Sequence, residues 1–84
     1  MTYFVYMLKC SDDSLYVGST NNLEKRIKQH NESKLGAHYT KTRRPVTLVH
    51  KEGFGTLKEA RKREAELKGW TRAKKLELVY NSKE

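Results

Sequence analysis

The chain has 84 residues, with 18 Lys and Arg against 10 Asp and Glu and a net charge of +8. That length gives one domain over 1–84 and excludes a second, since a compact domain this small buries only about 60% of its unfolded surface. The surplus of positive charge points to a polyanionic partner held through phosphate contacts and counterion release, nucleic acid ahead of an acidic membrane.

Cys10 is the single cysteine, which rules out an intrachain disulfide or a thiolate zinc cluster and suits a reducing, cytoplasmic compartment. The apolar run from Tyr3 to Leu8 is too short for a signal core, and no stretch reaches the length of a membrane span. In chain order, Tyr3 to Lys9 and Leu15 to Ser19 are rich in Tyr, Phe and Val around Ser11-Asp12-Asp13-Ser14, which predicts strand, turn, strand. Asn21 followed by Glu24 predicts a helix cap, and Leu23 with Ile27 carries the helix to about Asn31.

Residues 32–44 are polar and irregular, with a positive end at Lys41, Arg43 and Arg44. Val46 to Lys51 predicts a third strand, broken by Gly53-Phe54-Gly55. Thr56 with Glu59 predicts the cap of a second helix, Leu57 to Lys68, closed by Gly69 in a left-handed conformation. Thr71 caps a short last helix holding Leu76 and Val79, and residues 81–84 are expected to fray. The fold class is α+β, a small three-stranded antiparallel sheet flanked by helices.

Three polar residues break the helical pattern. At roughly 100° per residue, Glu64 falls on the apolar side of its helix between Leu57 and Leu67. An ionised carboxylate there needs a partner; either a lysine or arginine forms a salt bridge with it, or it holds a hard divalent cation at the floor of a cleft. Arg26 and His30 lie one turn apart on the side carrying Leu23 and Ile27. Taken alone, His30 reads as a satisfied half-buried histidine and Arg26 as a snorkelling cation. Three such residues facing inward each need separate compensation, which favours a common site.

Tyr6 and Tyr16 add a geometric condition. Directly opposed strand residues share a face, so the two phenols lie together only if opposed positions have an even sum. An odd loop or a bulge gives that register, whereas a two- or four-residue loop puts them on opposite faces. Gly18, inside the second strand, marks a place where another backbone or a ligand comes close.

In its order of residues (Tyr6, then Tyr16-Val17-Gly18, then Arg26 and His30, then Glu64) the chain resembles the GIY-YIG nuclease superfamily, most of all its small stand-alone bacterial members. Phe4 and Val5 stand where the family name has Gly and Ile. Leu76 stands near the position of the usual downstream asparagine, with Thr71 before it and Asn81 further on. The resemblance implies hydrolysis of DNA phosphodiesters with low sequence selectivity and one divalent cation, Mg2+ or Mn2+, held by Glu64.

It also implies catalytic roles for Tyr6, Tyr16, Arg26, His30 and Glu64. Hydrolysis needs an activated water, charge neutralisation at phosphate and a stabilised leaving oxygen. Arg26 suits the phosphate and Tyr16 the proton of the water, with Tyr6 positioning. Since a free phenol ionises near pH 10, a tyrosine base must be shifted downward by nearby positive charge such as Arg26, Lys9 or the metal.

Lys9, Lys41, Arg43, Arg44, Lys62, Arg63, Arg72, Lys74 and Lys75 are the expected backbone contacts, which position without specifying bases. His38 and Tyr39 either stack on an unpaired base or pack the loop. The competing function is a non-catalytic nucleic-acid-binding or adaptor module on the same scaffold.

Overall fold

Aromatic and β-branched side chains fill a pleated surface well, and the first two runs form a hairpin of β1 (Tyr3–Lys9) and β2 (Leu15–Thr20). Residues 1–32 and 43–81 are described in this computed structural model. The last hairpin pair is Lys9 with Leu15, so residues 10–14 form an odd loop. Asp12 Oδ1 accepts from the amide and hydroxyl of Ser14, and Asp13 takes φ 67°, a conformation that Asp tolerates better than most residues. The even-sum register follows: Tyr6 opposes Gly18 and Leu8 opposes Tyr16.

The third strand, β3 (Thr47–Phe54), pairs antiparallel with β1 to give the order β2-β1-β3. It outruns the expected Val46–Lys51 because the ladder continues through the pairs Glu52 with Val5, Gly53 with Phe4 and Phe54 with Tyr3. Glycine removes a side chain but keeps both backbone hydrogen-bonding groups. The register shifts between Met7 and Leu8, which oppose His50 and Leu48, and leaves Val49 as the extra residue of a bulge.

Helix α1 (Leu23–Glu32) covers one face of the sheet, against Tyr6, Leu8, Tyr16 and Leu48. Helices α2 (Leu57–Lys68) and α3 (Arg72–Asn81) cover the other, where Ala60, Leu67 and Val79 pack on Val5, Met7 and Val17. The cap of α1 is Asn22, one residue later than expected: its Oδ1 accepts from the amide of Lys25 at 3.1 Å. Thr71 caps α3 as expected, accepting from the amide of Lys74. Asn81 belongs to α3, and residues 82–84, the rest of the expected frayed end, lie outside the described residues.

Gly69 is right-handed, at φ −81° and ψ −9°, contrary to the left-handed closure expected. Its amide turns back to Glu66 and Leu67 carbonyls and the Trp70 amide follows to Leu67, so a tightened last turn ends the helix without positive φ. Thr56 caps α2 by accepting from the amide of Glu59 at 3.2 Å. Thr56→Ala is expected to remove about 1 kcal/mol of stability and to lower Tm by about 4–8 °C. An unchanged thermal melt would show that this cap contributes nothing. No helix among the described residues is long and apolar enough to cross a membrane.

Candidate functional site

Tyr6 and Tyr16 share the α1 face of the hairpin as diagonal neighbours, their ring centroids 6.4 Å apart. A Cβ at Gly18 would lie 2.5 Å from Tyr6 Oη and 2.7 Å from Tyr6 Cζ. Glycine is needed here for room, since its φ is not positive, and the group that comes close is the Tyr6 ring.

That ring is 1% exposed, and its Oη lies 2.8 Å from Nε2 of His30, which is fully buried. Arg26 also hydrogen-bonds the Tyr6 hydroxyl, and a guanidinium only donates. The phenol oxygen accepts from Arg26 and shares one hydrogen with Nε2 of His30, in a direction that depends on the imidazole tautomer. Tyr16 completes the cluster, with its ring centroid 5.0 Å from that of His30.

The end of α1 is tied down around the histidine. Asn31 exchanges two hydrogen bonds with the backbone of Val46, at 2.7 and 3.1 Å. Arg44 Nε donates to the carbonyl of His30 at 2.5 Å.

Burial, then the charges of Arg26 and Arg44, pushes the His30 pKa down to about 4, so the imidazole stays neutral near pH 7. Burial drives Tyr6 the other way, up to about 12, against the hydrogen bond from Arg26. At Tyr6, loss of water outweighs the cation. Lys9 gives no help, since it belongs to the opposite face of β1 and pairs with Asp13 at 3.2 Å.

Glu64 reaches β2 from the α2 side. Its Oε1 accepts from Ser19 Oγ at 2.7 Å and its Oε2 lies 2.9 Å from Lys68 Nζ. Burial opposes ionisation, yet hydrogen bonds from Lys68 and Ser19, with the charges of Lys68 and Arg61, hold the carboxyl below its ordinary range. The salt bridge that the sequence left open is present. Glu64 still lies within electrostatic reach of the phenols: its charge raises Tyr6, and Tyr16 raises Lys68.

Among the described residues no group of three or more His, Cys, Asp or Glu is placed to hold a metal. A lone carboxylate does not fit a metal that needs a full set of protein ligands. It does fit Mg2+ or Mn2+, hard ions that keep several waters and take one or two carboxylates together with phosphate oxygens.

The expected basic contacts divide. Arg43 pairs with Asp12 at 3.0 Å and Arg44 braces His30, both at the α1 end of the site. Arg72 donates to the Asp13 carbonyl and, with Lys75, Ser14 and Leu15, lines a hollow of about 230 Å³ beside the hairpin turn. Arg63 is drawn to the far strand, where it pairs with Glu52 at 2.9 Å and with Glu66. Lys74 lies over Trp70, as Arg63 does. Lys62 lines a separate hollow with Phe54, Glu59, Arg63 and Glu66.

The structure thus does not bring Lys62, Arg63 or Lys74 to the tyrosines. Lys41, His38 and Tyr39 lie outside the described residues. Neither Thr71, which caps α3, nor Asn81, which lies beside Trp70, reaches the cluster in place of the family asparagine.

Sequence reasoning missed Ser19, Lys68 and Gln29, the last of which accepts from Arg26 at 3.0 Å. Lys68 had a legible signal, the spacing of four residues after Glu64. Ser19 had none, because its bond to Glu64 spans 45 positions. The sequence also gave no notice of His50, buried and hydrogen-bonded to Glu52 at 2.7 Å, a brace of β3.

A family model described as the GIY-YIG catalytic domain matches residues 2–77. The UPF0213 protein of Syntrophus aciditrophicus is 52% identical over 81 residues, covering 96% of this chain and 93% of the relative. A UPF0213 protein of Staphylococcus haemolyticus is 52% identical over 77 residues, 92% of this chain and 93% of the relative. The solution NMR structure of UPF0213 protein BH0048 from Bacillus halodurans superposes with a TM-score of 0.63 at 41% identity, over 98% of this chain and 86% of the other. That of EF2693 from E. faecalis gives 0.65 at 39% identity, over 100% and 90%. With the ordered tyrosines, Arg26, His30 and Glu64 gathered about one hairpin and the family model spanning most of its length, the chain belongs to the GIY-YIG family.

Proposed function

We propose that the chain grips a nucleic-acid phosphodiester at the Tyr6, Tyr16, Arg26, His30 and Glu64 cluster, with DNA as the expected substrate, and hydrolyses it when Glu64 holds a divalent cation. The observation that supports this most is the closed contact among Tyr6, His30 and Arg26, whose neutral imidazole and buried phenol have no need to be assembled for packing alone. The Arg26 guanidinium has the planar fork of donors that suits phosphate oxygens. Tyr6 is too buried and too weakly acidic for a base and acts by holding the imidazole in place through its 2.8 Å hydrogen bond.

Tyr16, half-buried, is the phenol open to water or phosphate. Hydrolysis forms one P–O bond to water and breaks the P–O bond to the 3′ oxygen. The water's proton leaves by way of Tyr16 to solvent, and the departing oxygen takes a proton from solvent. Bound at Glu64, Mg2+ or Mn2+ would neutralise phosphate charge and stabilise the leaving oxygen.

A specific observation favours a second reading, a module that binds phosphate without turnover. Both Glu64 oxygens already have partners, and among the described residues neither Thr71 nor Asn81 takes the place of the family asparagine at the cluster. Incubating supercoiled and branched DNA with Mg2+ or Mn2+ separates the two. Under the hydrolytic reading Glu64→Gln and Tyr16→Phe each lower cleavage by about 100-fold or more. Cleavage that survives both substitutions would remove this site from the chemistry. No cleavage with salt-sensitive binding supports the module, and no affinity for any oligonucleotide supports an adaptor.

A further inference from the structure

The two partners of Glu64 differ in kind. Ser19 is a neutral donor on a strand and fixes Oε1. Lys68 is a flexible cation at the end of α2, with 54% of its side chain exposed, and it holds Oε2. A divalent ion bound at Oε2 would meet the ammonium where two positive charges cannot share one oxygen. The same ammonium lies within electrostatic reach of Tyr16, and half-exposed on a flexible stem it is free to turn to an incoming phosphate.

We propose that Lys68 occupies the cation position on Glu64 in the free protein and is drawn off by a nucleic-acid phosphate, so that metal and nucleic acid bind cooperatively. The proposal rests on Glu64 as the metal-holding residue. The two-state element is the Lys68 side chain, paired either with the carboxylate or with phosphate. Cation and phosphate both favour the second state, and each must therefore strengthen the binding of the other by the same factor. Ser19 keeps the carboxylate aimed while Lys68 leaves, which is why loss of the lysine would not collapse the site.

The test is Mn2+ binding, followed by electron paramagnetic resonance and calorimetry, in the unmodified chain and in Lys68→Met, Lys68→Gln, Lys68→Arg and Glu64→Gln. Lys68→Met is expected to bind Mn2+ more tightly, by up to about fivefold, the range set by a partly exposed ion pair. Lys68→Gln repeats that result should Lys68→Met fold poorly, Lys68→Arg stays close to the unmodified chain, and Glu64→Gln loses the site. A single-stranded oligonucleotide, added in a Tyr16→Phe background to stop turnover, tightens Mn2+ binding when Lys68 is present and tightens it less in Lys68→Met.

Glu64-dependent binding with unchanged affinity in Lys68→Met and Lys68→Gln overturns the role of Lys68 and leaves the metal reading intact. Equal tightening by the oligonucleotide with and without Lys68 overturns it as well. Absence of any Glu64-dependent Mn2+ binding overturns both.

Discussion

Acidification from about pH 8 to about pH 5 is expected to remove about 2 kcal/mol of folding stability through His30 alone, rising to about 3 kcal/mol by pH 4. The cause is a histidine whose folded pKa, about 4, lies below its ordinary 6.5 because it is buried and faces Arg26 and Arg44. Between those two values the unfolded chain binds the proton and the folded chain does not, so stability is full above pH 6.5 and falls as pH drops toward 4. The carboxyls held low, on Asp12, Glu52 and Glu64, start from ordinary values of 3.8, 4.5 and 4.5. Their loss belongs to lower pH, which leaves the upper part of the window to the imidazole.

Urea denaturation at half-unit steps should show the slope, and His30→Leu should flatten it even though that variant is less stable at pH 7. A wild-type curve flat from pH 7 to 5 would mean that the imidazole is charged or wet in the folded chain.

Gly18→Ala is expected to destabilise the chain by about 1–3 kcal/mol, the usual range for overpacking, and to lower Tm by roughly 5–20 °C. The new methyl would sit 2.5 Å from Tyr6 Oη and 3.1 Å from Tyr16 Cε1. Tyr6 cannot yield easily, because its oxygen is held by His30 at 2.8 Å and the ring is buried. Thermal melts of Gly18→Ala, Tyr6→Phe and the double variant form a cycle. Removing the phenol oxygen takes away the nearest contact of the methyl, so the double variant should lose less than the sum of the singles. Strict additivity would show that the methyl is accommodated without touching Tyr6, and nucleic-acid binding would then survive the substitution.

The hairpin was readable because two β-rich runs flank a Ser-Asp-Asp-Ser turn. The face shared by Tyr6 and Tyr16 was readable only as a condition on register, which the odd loop meets. The inward position of Glu64 was also readable, since helical periodicity places it between Leu57 and Leu67, and the structure finds it partly buried. Its partners were not equally legible: Lys68 is one turn away, whereas Ser19 depends on how α2 crosses β2.

The upward shift of Tyr6 was not legible, because positive neighbours are visible in a sequence and desolvation is not. The cap of α1 and the closure of α2 missed for a smaller reason. Asn21 and Asn22 offer the same oxygen one residue apart, and Gly69 permits a left-handed turn without requiring one.

Val5, Tyr6, Met7 and Leu8 are all buried, because helices cover both sides of the central strand. Sliding this strand by one position would trade one greasy set for another and send neither into water, so burial alone discriminates weakly between the two alignments. What does discriminate is a hydroxyl that finds an imidazole at only one setting, and a notch in the neighbouring strand that admits its ring there. The buried phenol at the centre of the cluster is therefore also the key that indexes the sheet, and replacing it should loosen the fidelity of folding.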